Sequence, residues 1–490
     1  MCSLILVKIN GQITGIIIGI TIFFLLLFIN PFHFSQNANV VLSVAVLMIM
    51  WWIIDCVPNP VVALLPLIIF PLFSITTIKE ITKAYSDPVV FLFMGGFFIG
   101  IAIEKWNLHK RLALNIIKLT GTNGNNIIIG FIISTAFLSL WLSNTATTMM
   151  MYPIAISMIH IVSNQSNSEQ DIKNFSMVLM LSIAYSSNFA IGTIIGTPTN
   201  IAYINYIEEK FNYEIGFLDW MKLFIPLTII LMFLLYWIMV KLVYPNNIKS
   251  SPESKKFMNE ELKNLQKISK PELRVGVVFL TIISCWIFKD AINYYQQFIK
   301  LDDTNIALIG AVSLFIIPSG KKENQKHIML LDWKDADKMA WGILLLFGGG
   351  IAIANALESQ NLMQKAGMYM SEIGVQHIFI LMLIITTFSV FFSELISNVA
   401  QVMVLSPVVT SLAISLKLDP LLLGIPMTIG ASCASMLPMS TPPNSIVYAS
   451  NLIKMKSMLK IGFILNVSSI VIIALYCYFI QPLIHWRVIK

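Results

Sequence analysis

Charge is what this sequence has least of. Only 12% of its 490 residues are Asp, Glu, Lys or Arg, while 57% are hydrophobic and mean hydropathy is +0.79. A soluble domain carries about 25% charged residues, so the shortage excludes a soluble enzyme and points to an integral membrane protein. No ten-residue alternation of apolar and polar residues suggests a β-barrel, and the long apolar runs read as membrane helices. Cysteine is also sparse: Cys2, Cys56, Cys285, Cys433 and Cys477 show no metal-ligand spacing or disulfide framework, and read as small buried hydrophobes. His33, His109 and His160 stand alone. No Walker loop links the chain to ATP, and no cofactor is expected. The formal charge of +7 lies mostly between apolar runs, where it sets topology rather than attracting nucleic acid.

What is present is an all-α polytopic pattern. Apolar runs place helices near 11–29, 38–55, 60–73, 89–104, 175–205, 219–243, 272–290, 303–317, 341–357, 421–450 and 460–481, about 11 crossings. The first run is too long for a signal-peptide core and lacks a small-residue cleavage site. Two more runs, 126–161 and 377–415, are too long for one crossing and too short for two. Each fits a re-entrant hairpin that enters and leaves on one side. Lys and Arg clusters at 105–111, 244–271, 318–340 and 454–460 all fall on one face if both hairpins re-enter and the N-terminus is cytoplasmic. The acidic segments 206–219 and 291–304 then fall outside.

The chain repeats itself. Phe93-Met94-Gly95-Gly96 returns as Phe347-Gly348-Gly349-Gly350, and Ser143-Asn144 as Ser397-Asn398, at an offset of 254 (144 to 398). Thr197-Pro198 and Asn200 return as Thr441-Pro442 and Asn444 at an offset of 244 (197 to 441). The polar insert Ser163 to Asp171 accounts for the difference. Five crossings and one hairpin per copy make the copies inverted relative to each other. The organisation is therefore 1–37, an N-terminal scaffold helix; 38–243, a first repeat; 244–271, a cytoplasmic linker with an amphipathic helix; and 272–490, a second repeat. Segments 105–119 and 357–370 read as interfacial arms leading into the hairpins.

Four breaks interrupt the apolar runs: Ser143-Asn144-Thr145, Gly196-Thr197-Pro198, Ser397-Asn398-Val399 and Ser440-Thr441-Pro442. Hydrocarbon offers no partner to free backbone groups, so broken helix survives there only where it lines a cavity. Pro198 and Pro442 each free a carbonyl. These oxygens, with Ser and Asn side chains, suit a hard cation such as sodium. Helices restarting after the breaks present free N–H groups that suit an anion. Small polar residues also serve plain helix packing, but two copies in register favour a site. Gly95-Gly96 and Gly348 to Gly350 read as close-packing glycines, since no P-loop lysine follows. Glu394 reads as structural, fixing the hairpin tip by accepting hydrogen bonds.

Ser143 to Thr148, Gly196-Thr197-Pro198, Ser397-Asn398 and Met436-Leu437-Pro438 to Asn444 resemble the divalent anion/sodium symporters, which carry dicarboxylates, citrate or sulfate. Phe93 to Leu114 and Trp341 to Leu362 are similar to that family too. The resemblance implies a homodimer whose transport part moves as an elevator against a fixed scaffold, in a bacterial inner membrane. It implies one sodium site at Ser139, Ser143, Asn144 and Gly196, and another at Ser393, Ile396, Asn398 and Ser440. It implies substrate contacts at Asn144, Thr145, Thr197, Pro198, Asn398, Val399, Thr441 and Pro442. Three positions depart from the family pattern: Val399 for threonine, Gln401-Val402 for Thr-Thr, and Thr199 for a second proline.

The expected activity is therefore sodium-coupled symport of a di- or tricarboxylate such as succinate, malate or citrate. The alternatives are a sodium-independent carboxylate exchanger of the same fold and a sulfate symporter. A membrane enzyme is disfavoured because no paired carboxylates or His cluster lie at membrane depth. A channel is disfavoured because hairpin tips meeting at mid-membrane block a path.

Overall fold

A computed structural model describes residues 2–54, 56–163, 168–211, 213–250, 252–296, 298–323, 326–362, 377–480 and 487–488. In chain order the helices are α1 (Cys2–Ile29), α2 (Gln36–Ile54), α3 (Asn59–Val62), α4 (Leu65–Leu72), α5 (Ile78–Tyr85), α6 (Pro88–Lys105) and α7 (Leu108–Thr120). There follow α8 (Gly124–Ser139), α9 (Asn144–Ser163), α10 (Glu169–Asn188), α11 (Pro198–Phe211), α12 (Phe217–Tyr236), α13 (Pro252–Asn264), α14 (Lys270–Tyr295) and α15 (Asp303–Ile316). The last are α16 (Trp341–Ser359), α17 (Ile378–Ser393), α18 (Asn398–Ser415), α19 (Pro420–Ala431), α20 (Pro442–Tyr448) and α21 (Met455–Ile480). Among the described residues strand pairing is confined to two short antiparallel pairs. Among the described residues, nine helices are long and apolar enough to cross a membrane. The helices α8 and α17 are apolar but shorter, at 16 residues each.

Local chemistry explains where the helices start. Asp87 and Asp419 each accept a backbone N–H two residues on, with proline at the first helical position. Ser269 and Glu272 form a capping box at the head of α14. The apolar runs 175–205 and 421–450 are interrupted after Asn188 and Ala431, so each run holds two helices around a break.

Packing divides the helices into two groups. In one, α6 lies on α15, α15 on α14, and α16 on α2 and α5. In the other, α10 packs between α8 and α9 while α19 packs between α17 and α18. Within this second group each half reaches into the other: α10 meets α20, and α11 meets α19. Between the groups, α16 lies against α18. The glycine clusters serve close approach. A Cβ on Gly95 would fall 2.7 Å from the Ala307 backbone of α15, and one on Gly349 would run into Ala63. Phe93 and Phe347, which share a position in the repeat, stack on each other with centroids 4.6 Å apart.

Two features were not anticipated. The short α5 has no apolar run to announce it; it is amphipathic and starts at the Thr77 cap. Pro318–Glu323 pairs with Lys326–Met329 as a hairpin inside what reads as a plain basic loop. The linker helix α13 does form, and it docks on α7 through Lys110–Glu261 at 3.0 Å. Beside it Arg111 pairs with Glu272 and donates to the Leu265 and Gln266 carbonyls, both at 3.1 Å. The second arm is described only as far as Leu362; the rest of 357–370 lies outside the described residues. Cys433 and Cys477 are free and buried, Cys285 is free and half-buried, and Cys56 is buried.

Candidate functional site

The two hairpins are built alike. In the first, α8 stops at Ser139 and α9 restarts at Asn144; in the second, α17 stops at Ser393 and α18 restarts at Asn398. The Ser139 hydroxyl lies 2.7 Å from the Asn144 carboxamide and donates to Ser187 O at 3.1 Å. The Ser393 hydroxyl lies 2.6 Å from Asn398 Oδ1 and 2.6 Å from Ala431 O. Serine and asparagine follow the 254 offset and the carbonyls, 187 and 431, follow the 244 offset. The hydrogen bonds thus reproduce both offsets found in the sequence.

Around Asn144 the cluster is nearly all oxygen. One terminal atom of its carboxamide lies 2.7 Å from Ser139 Oγ, 3.1 Å from Ser187 O and 3.2 Å from Gly196 O. As nitrogen that atom donates to all three. As oxygen it completes an all-oxygen group that matches a hard cation. Among the described residues no three His, Cys, Asp or Glu side chains come together, so a transition-metal site finds no support there. Ser143 caps α9 through the Ala146 N–H at 3.3 Å. In the second cluster the Ser440 hydroxyl turns to Leu437 O at 2.8 Å and accepts from Asn444 at 2.9 Å rather than facing Asn398. Ile396 is buried beside the tip.

The breaks after α10 and α19 are braced from within. Asn200 Nδ2 donates to Thr193 O at 2.9 Å, and Asn444 Nδ2 to Leu437 O at 3.2 Å, the same bond in both copies. The halves also hold each other. Asn188 Nδ2 donates to the Thr441 hydroxyl at 3.1 Å, while Ser432, at the position equivalent to Asn188, pairs with Thr199 at 2.7 Å. Thr197 in turn meets Thr199 at 2.9 Å. The hydroxyls of Thr197 and Thr441 are therefore engaged internally. Thr145 is half-buried and its hydroxyl has no hydrogen bond among the described residues. Val399 is buried, Pro198 half-buried and Pro442 exposed.

Sequence reasoning missed Ser187, Asn188, Ala431 and Ser432. Extending the 244 offset back from Asn200 and Asn444 pairs each with its counterpart. Two of the departures acquire structural roles. Gln401 is buried, and its amide donates to Ser389 O at 2.9 Å and Ser389 Oγ at 2.6 Å, tying α18 to α17. Thr199 supplies the cross-half bond to Ser432. A cavity of about 80 Å³ reaches the first break, and its lining includes Trp141, Ser143, Ala146, Glu104 and Lys338.

Known proteins with this sequence pattern are transporters. The sequence profile described as "Sodium:sulfate symporter transmembrane region" matches residues 10–486. The chain belongs to that family. A protein named sodium-dependent dicarboxylate transporter SdcS from Staphylococcus saprophyticus is 36% identical over 479 residues, covering 96% of this chain and 92% of that one. Its namesake in Staphylococcus aureus is 34% identical, covering 97% and 92%. Two solved structures share the fold at low identity. Neisseria gonorrhoeae MtrF, titled one of a class of antimetabolite efflux pumps, has a TM-score of 0.53 at 14% identity over 82% of this chain and 83% of that one. The Alcanivorax borkumensis YdaH transporter has a TM-score of 0.50 at 12% identity over 84% and 89%.

Proposed function

We propose that this protein is a sodium-coupled symporter of small dicarboxylates such as succinate or malate. The observation that carries the reading is the oxygen cluster built twice, around Ser139–Asn144 and around Ser393–Asn398. Beside each cluster a helix starts. The first-turn N–H groups of α9 and α18 point out of the helix ends, and Ser397 makes no side-chain cap on α18. Such ends favour a carboxylate without any lysine or arginine. Sodium is cargo here: it meets Ser, Asn and carbonyl oxygens, and its charge strengthens the adjoining anion site. The names of the staphylococcal relatives favour a dicarboxylate over the sulfate in the family description.

The matched hydrogen bonds and the Phe93–Phe347 stack support two inverted copies around a pseudo-twofold. In that reading α2, α6 and α14 to α16 form the scaffold. The hairpins with α10 to α12 and α19 to α21 form the part that moves as an elevator. The lysine distribution supports a cytoplasmic N-terminus in a bacterial plasma membrane, and the family resemblance supports a homodimer. Uptake of labelled succinate, citrate and sulfate into proteoliposomes, with and without an inward sodium gradient, tests the reading. Succinate accumulation that follows the gradient is expected. Indifference to sodium combined with exchange against internal succinate would replace symport by the exchanger.

A further inference from the structure

The second hairpin tip carries a buried carboxylate that the transport reading above has not used. Glu394 is 4% exposed and sits between Ser393 and the break. Its Oε1 accepts from the Ser435 N–H at 2.7 Å, the Met436 N–H at 2.8 Å and Asn466 Nδ2 at 2.7 Å. Its Oε2 accepts from the Leu437 N–H at 2.9 Å. A buried carboxylate is tolerated only with such a complement of donors, and bonds to an ionised acceptor are the strong kind. The donors are not its own hairpin. Three of them are consecutive peptides of the break between α19 and α20, the segment that leads to Ser440 and Thr441.

The first half makes a different tie at the same two positions. Leu140 stands where Glu394 stands, and Thr193 where Leu437 stands. There the Thr193 hydroxyl donates to the Leu140 carbonyl. The polarity is reversed: in the first half the loop's side chain reaches the tip's backbone, and in the second the tip's side chain reaches the loop's backbone. One neutral bond on one side faces four charge-assisted bonds on the other. From Leu437 the constraint passes on, because its carbonyl accepts from Ser440 Oγ at 2.8 Å and from Asn444 Nδ2 at 3.2 Å.

We propose that Glu394 is a positioning residue for the second cation site. It clamps the 435–437 backbone to the hairpin tip, so that Leu437, Ser440 and Asn398 hold their places before sodium arrives. Its fixed negative charge also favours a cation there. Leu140 supplies neither, so the second site fills at lower sodium concentration than the first. The inference rests on the sodium-coupled reading above.

The experiment is sodium activation of labelled-succinate uptake by the full chain in proteoliposomes, for wild type, Glu394→Gln, Glu394→Asp and Asn466→Ala. Glu394→Gln should raise the half-activating sodium concentration about tenfold or more. The succinate KM at saturating sodium should stay within about twofold. Glu394→Asp should recover part of the shift, and Asn466→Ala, which perturbs the carboxylate from outside the hairpin, should show a smaller shift in the same direction. Sodium-induced thermal stabilisation of the purified variants reads the same site without transport. A merely structural glutamate would lower protein yield and maximal rate and leave the sodium dependence as it was. Wild-type half-activation and wild-type sodium stabilisation in both Glu394→Asp and Asn466→Ala, or in Glu394→Gln, would overturn the assignment. A wild type that ignores sodium would sink the symport reading, and the clamp with it.

Discussion

Thr145 offers the sharpest test of where the anion sits. It lies in the first turn of α9, next to Asn144, half-buried and with its hydroxyl unengaged among the described residues. By contrast Thr197 and Thr441 have partners within the protein. Thr145→Val removes a donor while keeping shape and, because no internal bond is lost, should leave thermal stability unchanged. A hydrogen bond to a charged oxygen is worth about 1.5–3 kcal/mol. Losing it should lower kcat/KM for succinate roughly ten- to hundredfold. The equivalent residue, Val399, is 9% exposed and offers only methyl groups. Val399→Thr should be tolerated and should shift the ranking among succinate, citrate and sulfate. The assay is a competition series over those anions for wild type and both variants. A silent Thr145→Val together with an unchanged ranking in Val399→Thr would show that neither side chain meets the substrate.

Three further outcomes are expected. A Cβ on Gly196 would fall 2.6 Å from Ala190 O, so Gly196→Ala should displace the Gly196 carbonyl from Asn144. Sodium activation of uptake should weaken by roughly tenfold, the effect of about 1.4 kcal/mol at one ion contact; a normal activation curve would remove Gly196 from the site. His109, buried on α7 with Nδ1 3.1 Å from Ile103 O, has its pKa held below the ordinary 6.5, chiefly by burial. The unfolded chain therefore takes up a proton that the fold resists, and stability should fall as pH drops below about 6.5. His109→Gln should flatten that loss in a thermal melt, and equal losses in both proteins would place the acid sensitivity elsewhere. Lys210 pairs with Glu358 at 3.1 Å and Asn355 donates to Glu209 at 2.9 Å, linking α11 to α16. If those helices slide past each other, a short bifunctional thiol linker between Lys210→Cys and Glu358→Cys should stop uptake reversibly; full uptake in the linked protein would rule the sliding out.

The breaks were legible because backbone without a helix is costly in hydrocarbon and stands out against an apolar run. Ser139, Asn144 and Gly196 come together as the paired motifs imply, and so do Ser393 and Asn398. What was not legible is the wiring behind them. Asn188 and Ser432 differ in type although they occupy one repeat position, so comparing letters hides them. Glu394 shows the same limit: sequence suggests a carboxylate serving its own hairpin tip, and the structure adds that its bonds go to residues 435 to 437. Gln401 departs from the family pattern, and its amide is spent on Ser389, one turn into the opposing arm. Short amphipathic α5 and the 318–329 hairpin carry signals weaker than the lysines around them, which speak of topology and not of strand or helix.

The absence of Lys and Arg from the breaks bears on coupling itself. A dicarboxylate carries two negative charges, and a charge at the bilayer centre costs several kcal/mol even with relaxation. In the proposed site the opposing elements are helix ends, each equivalent to roughly half a charge, and two oxygen clusters that are neutral without an ion. Glu394 adds a negative charge, which its own four donors satisfy. In the proposed elevator, carrying the anion alone would therefore leave the moving part strongly negative as it crosses. In the proposed mechanism bound sodium ions offset the dianion, so the loaded part carries far less net charge than it would with the anion alone. A lysine in the cradle would bind succinate without sodium and would erase that requirement. On this reasoning, sodium dependence comes from what the site leaves out as much as from the oxygens it supplies.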